Sequence, residues 1–158
     1  METIVDYEKR DLFVERVNKL ISMMQEWVQD TGLITGISNI EIEETVPGKY
    51  PVNKLEITDR AKIISVQVIP VGAYVIAAEG RVDIKGYLGK ESVVFLKYGG
   101  PVIVSKVNRE VNKVSSLYDG ITTEGWYWIE DKRMRRAYLL DKKIFLELVT
   151  RVSDYEFR

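Results

Sequence analysis

Phe13-Val-Glu-Arg-Val17-Asn-Lys-Leu20-Ile21-Ser-Met-Met24-Gln-Glu-Trp27-Val28 is the stretch on which the fold reading turns. Phe13, Val17, Leu20, Ile21, Met24 and Val28 recur at spacings of three and four, while Glu15, Arg16, Lys19, Glu26 and Gln29 occupy the positions between them. That is the period of an amphipathic helix with one apolar stripe. The helix is expected over about residues 6–31. Asp6 is the candidate N-cap, Glu8 sits near the positive end of the helix dipole, and Gly32 can adopt the left-handed conformation that ends a helix. Met23 and Trp27 widen the stripe and are read as core against a sheet.

After Gly32 the period falls to two. Residues 40–46, 54–57, 62–69, 73–78, 81–84, 92–97 and 102–106 alternate or run apolar as strands do, and 126–129, 135–140 and 144–149 read the same way. The connections are short: Thr58-Asp59-Arg60, Pro70-Val71-Gly72, Gly86-Tyr-Leu-Gly89 and Tyr98-Gly-Gly-Pro101. A parallel pair needs a crossover of a dozen or more residues, so the strands are expected to run antiparallel in a meander. Gly80 suggests a strand bent at a glycine or bulge. Residues 108–125 are the least legible; 108–114 could form a short helix. The expected architecture is α+β: an N-terminal amphipathic helix packed on a strongly curved, mainly antiparallel sheet of about eight to ten strands. Residues 1–158 are expected to form a single domain, with the β-rich region spanning about 37–152.

Composition narrows the chemistry. The 158 residues include no histidine and no cysteine. That removes the Ser-His-Asp and Cys-His arrangements, ordinary Cys/His zinc sites, thiol redox pairs and disulfides. Hydrophobic residues make up 46% and charged residues 30%, the balance of an ordered globular chain. No run of about 18 apolar residues occurs, and the N-terminus lacks a basic region followed by an apolar stretch. A cytoplasmic protein away from membranes is the expectation. The formal charge of −1 is unevenly spread, with 12 acidic and 7 basic residues among the first 60, and 12 and 16 among the rest.

The strongest local candidate for a binding site is the aromatic hairpin. Trp126 and Trp128 should share one face of a strand, with Tyr127 and Ile129 on the other. Lys132, Arg133, Arg135 and Arg136 follow immediately, so residues 131–143 hold six basic and two acidic side chains. Rings beside cations suit single-stranded nucleic acid. The same cations also guard sheet edges against aggregation, and with a pI near 5.7 nucleic acid is the less favoured partner.

Two other groups of side chains are candidates for a site. Glu41, Glu43 and Glu44, with Glu56 and Asp59 on the next strand, could gather as a cation site or an acid/base pair; alternation with Ile40 and Ile42 instead makes the first two a solvated face. Tyr74, Tyr87, Tyr98, Tyr118, Tyr127 and Tyr138 are scattered over the sheet and could line a cavity or fill a core. Gly86-Tyr-Leu-Gly89-Lys90-Glu91 has two residues between its glycines and a glutamate after the lysine, so it fails as a phosphate loop and reads as a hairpin turn. The chain is expected to be a non-catalytic protein-interaction module of accessory, inhibitory or immunity type, with a protein partner or a second copy, and with no cofactor or metal. The alternatives are a small-ligand protein with its pocket between helix and sheet, and a nucleic-acid binder using Trp126, Trp128, Arg133, Arg135 and Arg136.

Overall fold

The computed structural model describes residues 4–107, 110–131 and 133–157. Helix α1 spans Ile4–Val28. Among the described residues nine strands follow: β1 (Leu33–Glu44), β2 (Gly48–Asp59), β3 (Ser65–Gly72), β4 (Gly80–Gly86), β5 (Gly89–Leu96), β6 (Val102–Val107), β7 (Glu110–Ser116), β8 (Gly125–Asp131) and β9 (Arg136–Leu139), then helix α2 (Lys142–Ser153). Seven strands form one antiparallel sheet in the order β1-β2-β3-β4-β5-β8-β9, and β6 and β7 pair separately. The meander is therefore as expected, with one hairpin inserted between its fifth and sixth strands. Among the described residues no helix is long and apolar enough to cross a membrane.

Both helices cover the inner face of the sheet. Phe13, Val17, Leu20, Ile21, Met24 and Val28 are all buried, so the whole predicted stripe of α1 is core. They meet Leu55, Ile57, Val66, Val68, Val82, Ile84 and Val93 from the strands and Phe145, Leu148, Val149 and Val152 from α2 in one apolar cluster. Trp27 is half-buried and its ring lies 5.6 Å from that of Phe145, joining the two helices. Met23, by contrast, is exposed.

The first hairpin changes its buried face along its length. Tyr50 and Val52 are buried near its tip, then the buried positions change parity to Leu55 and Ile57, although β1 and β2 keep one unbroken register. A two-stranded ribbon twists more than a strand inside a wide sheet. β3 pairs only with residues 55–58 of β2, so the outer part of the ribbon is free to twist and turn its other face toward α1.

Four local expectations are corrected. Residues 144–149 belong to α2: Asp141 caps it through a 2.8 Å bond from the Ile144 amide, and the buried Phe145, Leu148, Val149 and Val152 follow a helical period. Residues 73–78 form a loop, because Glu44 takes the Ala73 and Tyr74 amides and Ala77 is left-handed. Residues 110–116 form a strand, since β6 supplies a pairing edge; Asn108, which opened the alternative helix, lies outside the described residues. Finally, α1 starts before Asp6 and ends at Val28, with the left-handed Asp30 and Gly32 making the turn into β1.

Candidate functional site

The aromatic hairpin does not form an exposed site. Trp126 and Trp128 do share a face, but they are only 6% and 5% exposed. Trp126 meets Phe95 edge-on at 5.4 Å, and Arg16 of α1 lies 3.9 Å over the Phe95 ring. Trp128 donates its indole N–H to Glu91 at 2.9 Å and is covered by Tyr138 and by Arg151 of α2. The expected cations lie apart from these rings, in and after the exposed β8–β9 turn. Arg133 donates its amide to Asp131, Arg135 pairs with Asp119 at 2.9 Å and Arg136 with Glu130 at 3.4 Å. Lys132 lies outside the described residues. Buried rings cannot stack bases, so Trp126 and Trp128 act as core and Arg133, Arg135 and Arg136 as a solvated, partly acid-paired turn.

The acidic group also disperses. In the antiparallel register Glu41 faces Pro51 and Glu43 faces Lys49, whereas Glu56 and Asp59 sit at the opposite end of the ribbon. Among the described residues no group of three or more acidic side chains could hold a metal ion. Asp59 accepts the Ile63 and Ile64 amides and closes the β2–β3 turn. Glu44 is more deeply engaged: it accepts the Tyr50 hydroxyl, the Ala73 amide at 3.3 Å and the Tyr74 amide at 2.7 Å. It thereby ties the first hairpin to the loop after β3.

Burial, together with the bond to Glu44, pushes the Tyr50 phenol well above its ordinary range. Burial raises Tyr118 as well. The neutral phenol is favoured in the folded state, so its stabilising contribution is complete below the unfolded value near pH 10 and is lost as pH rises from there toward the folded value. Urea midpoints are expected to fall above about pH 10. Tyr50→Phe should flatten that fall by up to about 1.4 kcal/mol per pH unit, the slope of one proton. Identical alkaline profiles for the two proteins would refute the assignment.

A concave site lies on the outer face. There Leu96, Tyr118, Ile121 and Tyr127 make a second, smaller apolar cluster, with Ala78, Val94, Leu117, Ile129 and Ala137 packed around it. The segment after β7 is strapped across by bonds from Leu117 N–H to the Pro101 carbonyl and from Gly99 N–H to the Ile121 carbonyl, both 2.8 Å. Between this strap and the 74–78 loop runs a groove of about 690 Å³. Its apolar lining includes Ala78, Val94, Leu117, Tyr118 and Ile129, and Ile76 stands fully exposed on its rim.

Arg81 and Lys90 line the same groove and share one carboxylate, Asp83, at 2.9 and 3.8 Å. Ser92 also donates to Asp83, at 3.3 Å. Glu91 and Glu130 contribute to the walls, but their carboxylates are engaged by Trp128 and Arg151 and by Arg136. The polar end of the groove therefore presents two cations against one mostly buried acid. Tyr74 and Tyr118 are the two tyrosines of the scattered set that line the groove, while Tyr127 lies buried beneath it. Alternation in β4 and β5 puts Arg81, Asp83, Lys90, Ser92 and Val94 on one face, and this much is visible in the sequence; the two loops that wall the groove give no such signal.

No protein-family model, curated protein or solved structure matches the chain.

Proposed function

We propose that this chain is a non-catalytic protein-interaction module, acting in the cytoplasm as an accessory, inhibitory or immunity-type partner, and that its outer-face groove receives an extended segment of the partner. The observation that carries this reading is the pairing of an apolar groove, with the fully exposed Ile76 on its rim, and two cations sharing a single carboxylate. A side chain such as Ile76 gains by being covered, and the surplus cation is complemented by an acid. The matching segment carries an apolar side chain next to a carboxylate. A small molecule is the second reading, favoured by a groove volume within the roughly 300–1,000 Å³ of small-molecule sites. A wider and more open groove of about 1040 Å³ runs between α1 and the start of β2, lined by Val14, Asn18, Met23 and Tyr50, and it also supports this reading; the deeper space between α1 and the sheet is filled by Phe13, Val17, Leu20 and Met24.

Panning a random peptide library against the folded chain should enrich apolar-acidic sequences. Ile76→Asp and Lys90→Glu should each weaken the selected peptides about tenfold or more in a calorimetric titration, an effect of roughly 1.4 kcal/mol. Both side chains are exposed, so circular dichroism should report an unchanged fold. Peptides that bind both variants as tightly as the parent would overturn the reading.

A further inference from the structure

The two ends of the seven-stranded sheet differ in a way that points to a second binding surface. Strand β9 is protected in the usual manner of an edge: it has four residues, begins with a charged Arg136, and its pairing with β8 is interrupted by a register shift between Ile129 and Asp131. Strand β1 has none of these features over most of its length. It is twelve residues long, pairs with β2 without a shift, and has no other strand against its far side among the described residues. Residues 33–40, Leu-Ile-Thr-Gly-Ile-Ser-Asn-Ile, contain no charge and no proline. Ile34 and Ile37 are 51% and 49% exposed there. Alternate N–H and C=O groups of such a strand point away from β2 and are free to accept another strand.

We infer that β1 pairs edge to edge with β1 of a second copy, antiparallel about a two-fold axis near Gly36 and Ile37. Charge selects this occupant. Two copies of the uncharged segment meet without opposing any like charges, and the glutamates at 41, 43 and 44 fall toward the two ends of the pair. A slip of the register toward those glutamates would bring them against each other, so the same residues fix the alignment.

The flank of α1 beside this edge has matching chemistry. Ser22, Gln25 and Gln29 border a shallow groove of about 470 Å³ with Leu33 and Thr35, and Gln25 donates to the Thr35 hydroxyl at 3.1 Å. Glu26 is the charged member of that wall. Hydroxyl and amide side chains both donate and accept, so they can bond to their own copies across a two-fold axis. This surface is separate from the outer-face groove, and the pairing stands or falls without it.

Light scattering coupled to size exclusion should give a mass near twice 18.2 kDa at high concentration, dissociating on dilution. Ile37→Lys places like charges near the axis and should weaken self-association about a hundredfold, because opposed like charges at an interface cost several kcal/mol and each 1.4 kcal/mol is tenfold. Ile34→Lys serves as a second edge variant should the first fail to fold, and Tyr138→Lys on β9 should leave the dimer intact. Ile76→Asp should also leave it intact, which separates this test from that of the groove. A monomer at every concentration, or a dimer that persists in a folded edge variant, would overturn the inference.

Discussion

Phe13→Ala is expected to lower the unfolding free energy by about 3–5 kcal/mol, the cost of emptying a buried aromatic position. The ring is fully buried in the main cluster and lies against Gly80, where β4 begins; a Cβ added at Gly80 would come within 2.7 Å of the ring. The cavity would thus open where α1 meets the middle of the sheet, with rigid backbone on one side and little freedom to collapse. Against the roughly 5–15 kcal/mol that holds a typical domain, such a loss leaves little margin. Urea titration followed by tryptophan fluorescence measures it. A loss below about 1 kcal/mol would mean that α1 is not the main cover of the inner face.

Gly86→Val should cost about 3 kcal/mol, at the upper end of overpacking effects. Gly86 and Gly89 pair across a two-residue turn, and the C-terminal part of α2 sits directly on that turn, accepting the Leu88 amide at the Val152 carbonyl at 3.0 Å. A Cβ at Gly86 would lie 2.8 Å from the Val152 carbonyl carbon and closer still to its oxygen. Backbone cannot yield as the end of a flexible side chain can, so α2 must shift and take Phe145, Leu148 and Val149 with it. Gly89→Val is the control, since nothing lies within 4 Å of a Cβ there. Equal melting temperatures for the two variants would contradict the docking of α2 on the β4–β5 turn.

Where one physical signal dominates, the sequence is easy to read. The apolar stripe of α1 has no competing period, and all six of its principal residues are core. The Gly86–Gly89 turn and the charged outer positions of β4 follow from alternation alone. Reading fails where a short apolar run fits two periods. Ile144-Phe-Leu-Glu-Leu-Val149 has the length of a strand, but positions 145, 148 and 149, extended to Val152, fit a helix, and Asp141 is its cap. It fails again at 73–78, where a strand-like composition is overridden by a carboxylate thirty residues earlier in the chain. The candidate site suffers from both limits. Its floor lies on regular strands, whereas its walls are the 74–78 loop and the strap around Tyr118, each placed by contacts distant in sequence. The aromatic hairpin shows the converse: alternation correctly paired Trp126 with Trp128, but only the packing of Phe95, Tyr138 and Arg151 around them decides that they are interior.

Hydrogen–deuterium exchange of the chain with and without a selected apolar-acidic peptide tests the interaction reading most directly. Protection on binding is expected across residues 74–78, 90–94 and 117–118, which surround the outer-face groove. Protection confined to α1 or β1, with those three segments unchanged, would contradict it.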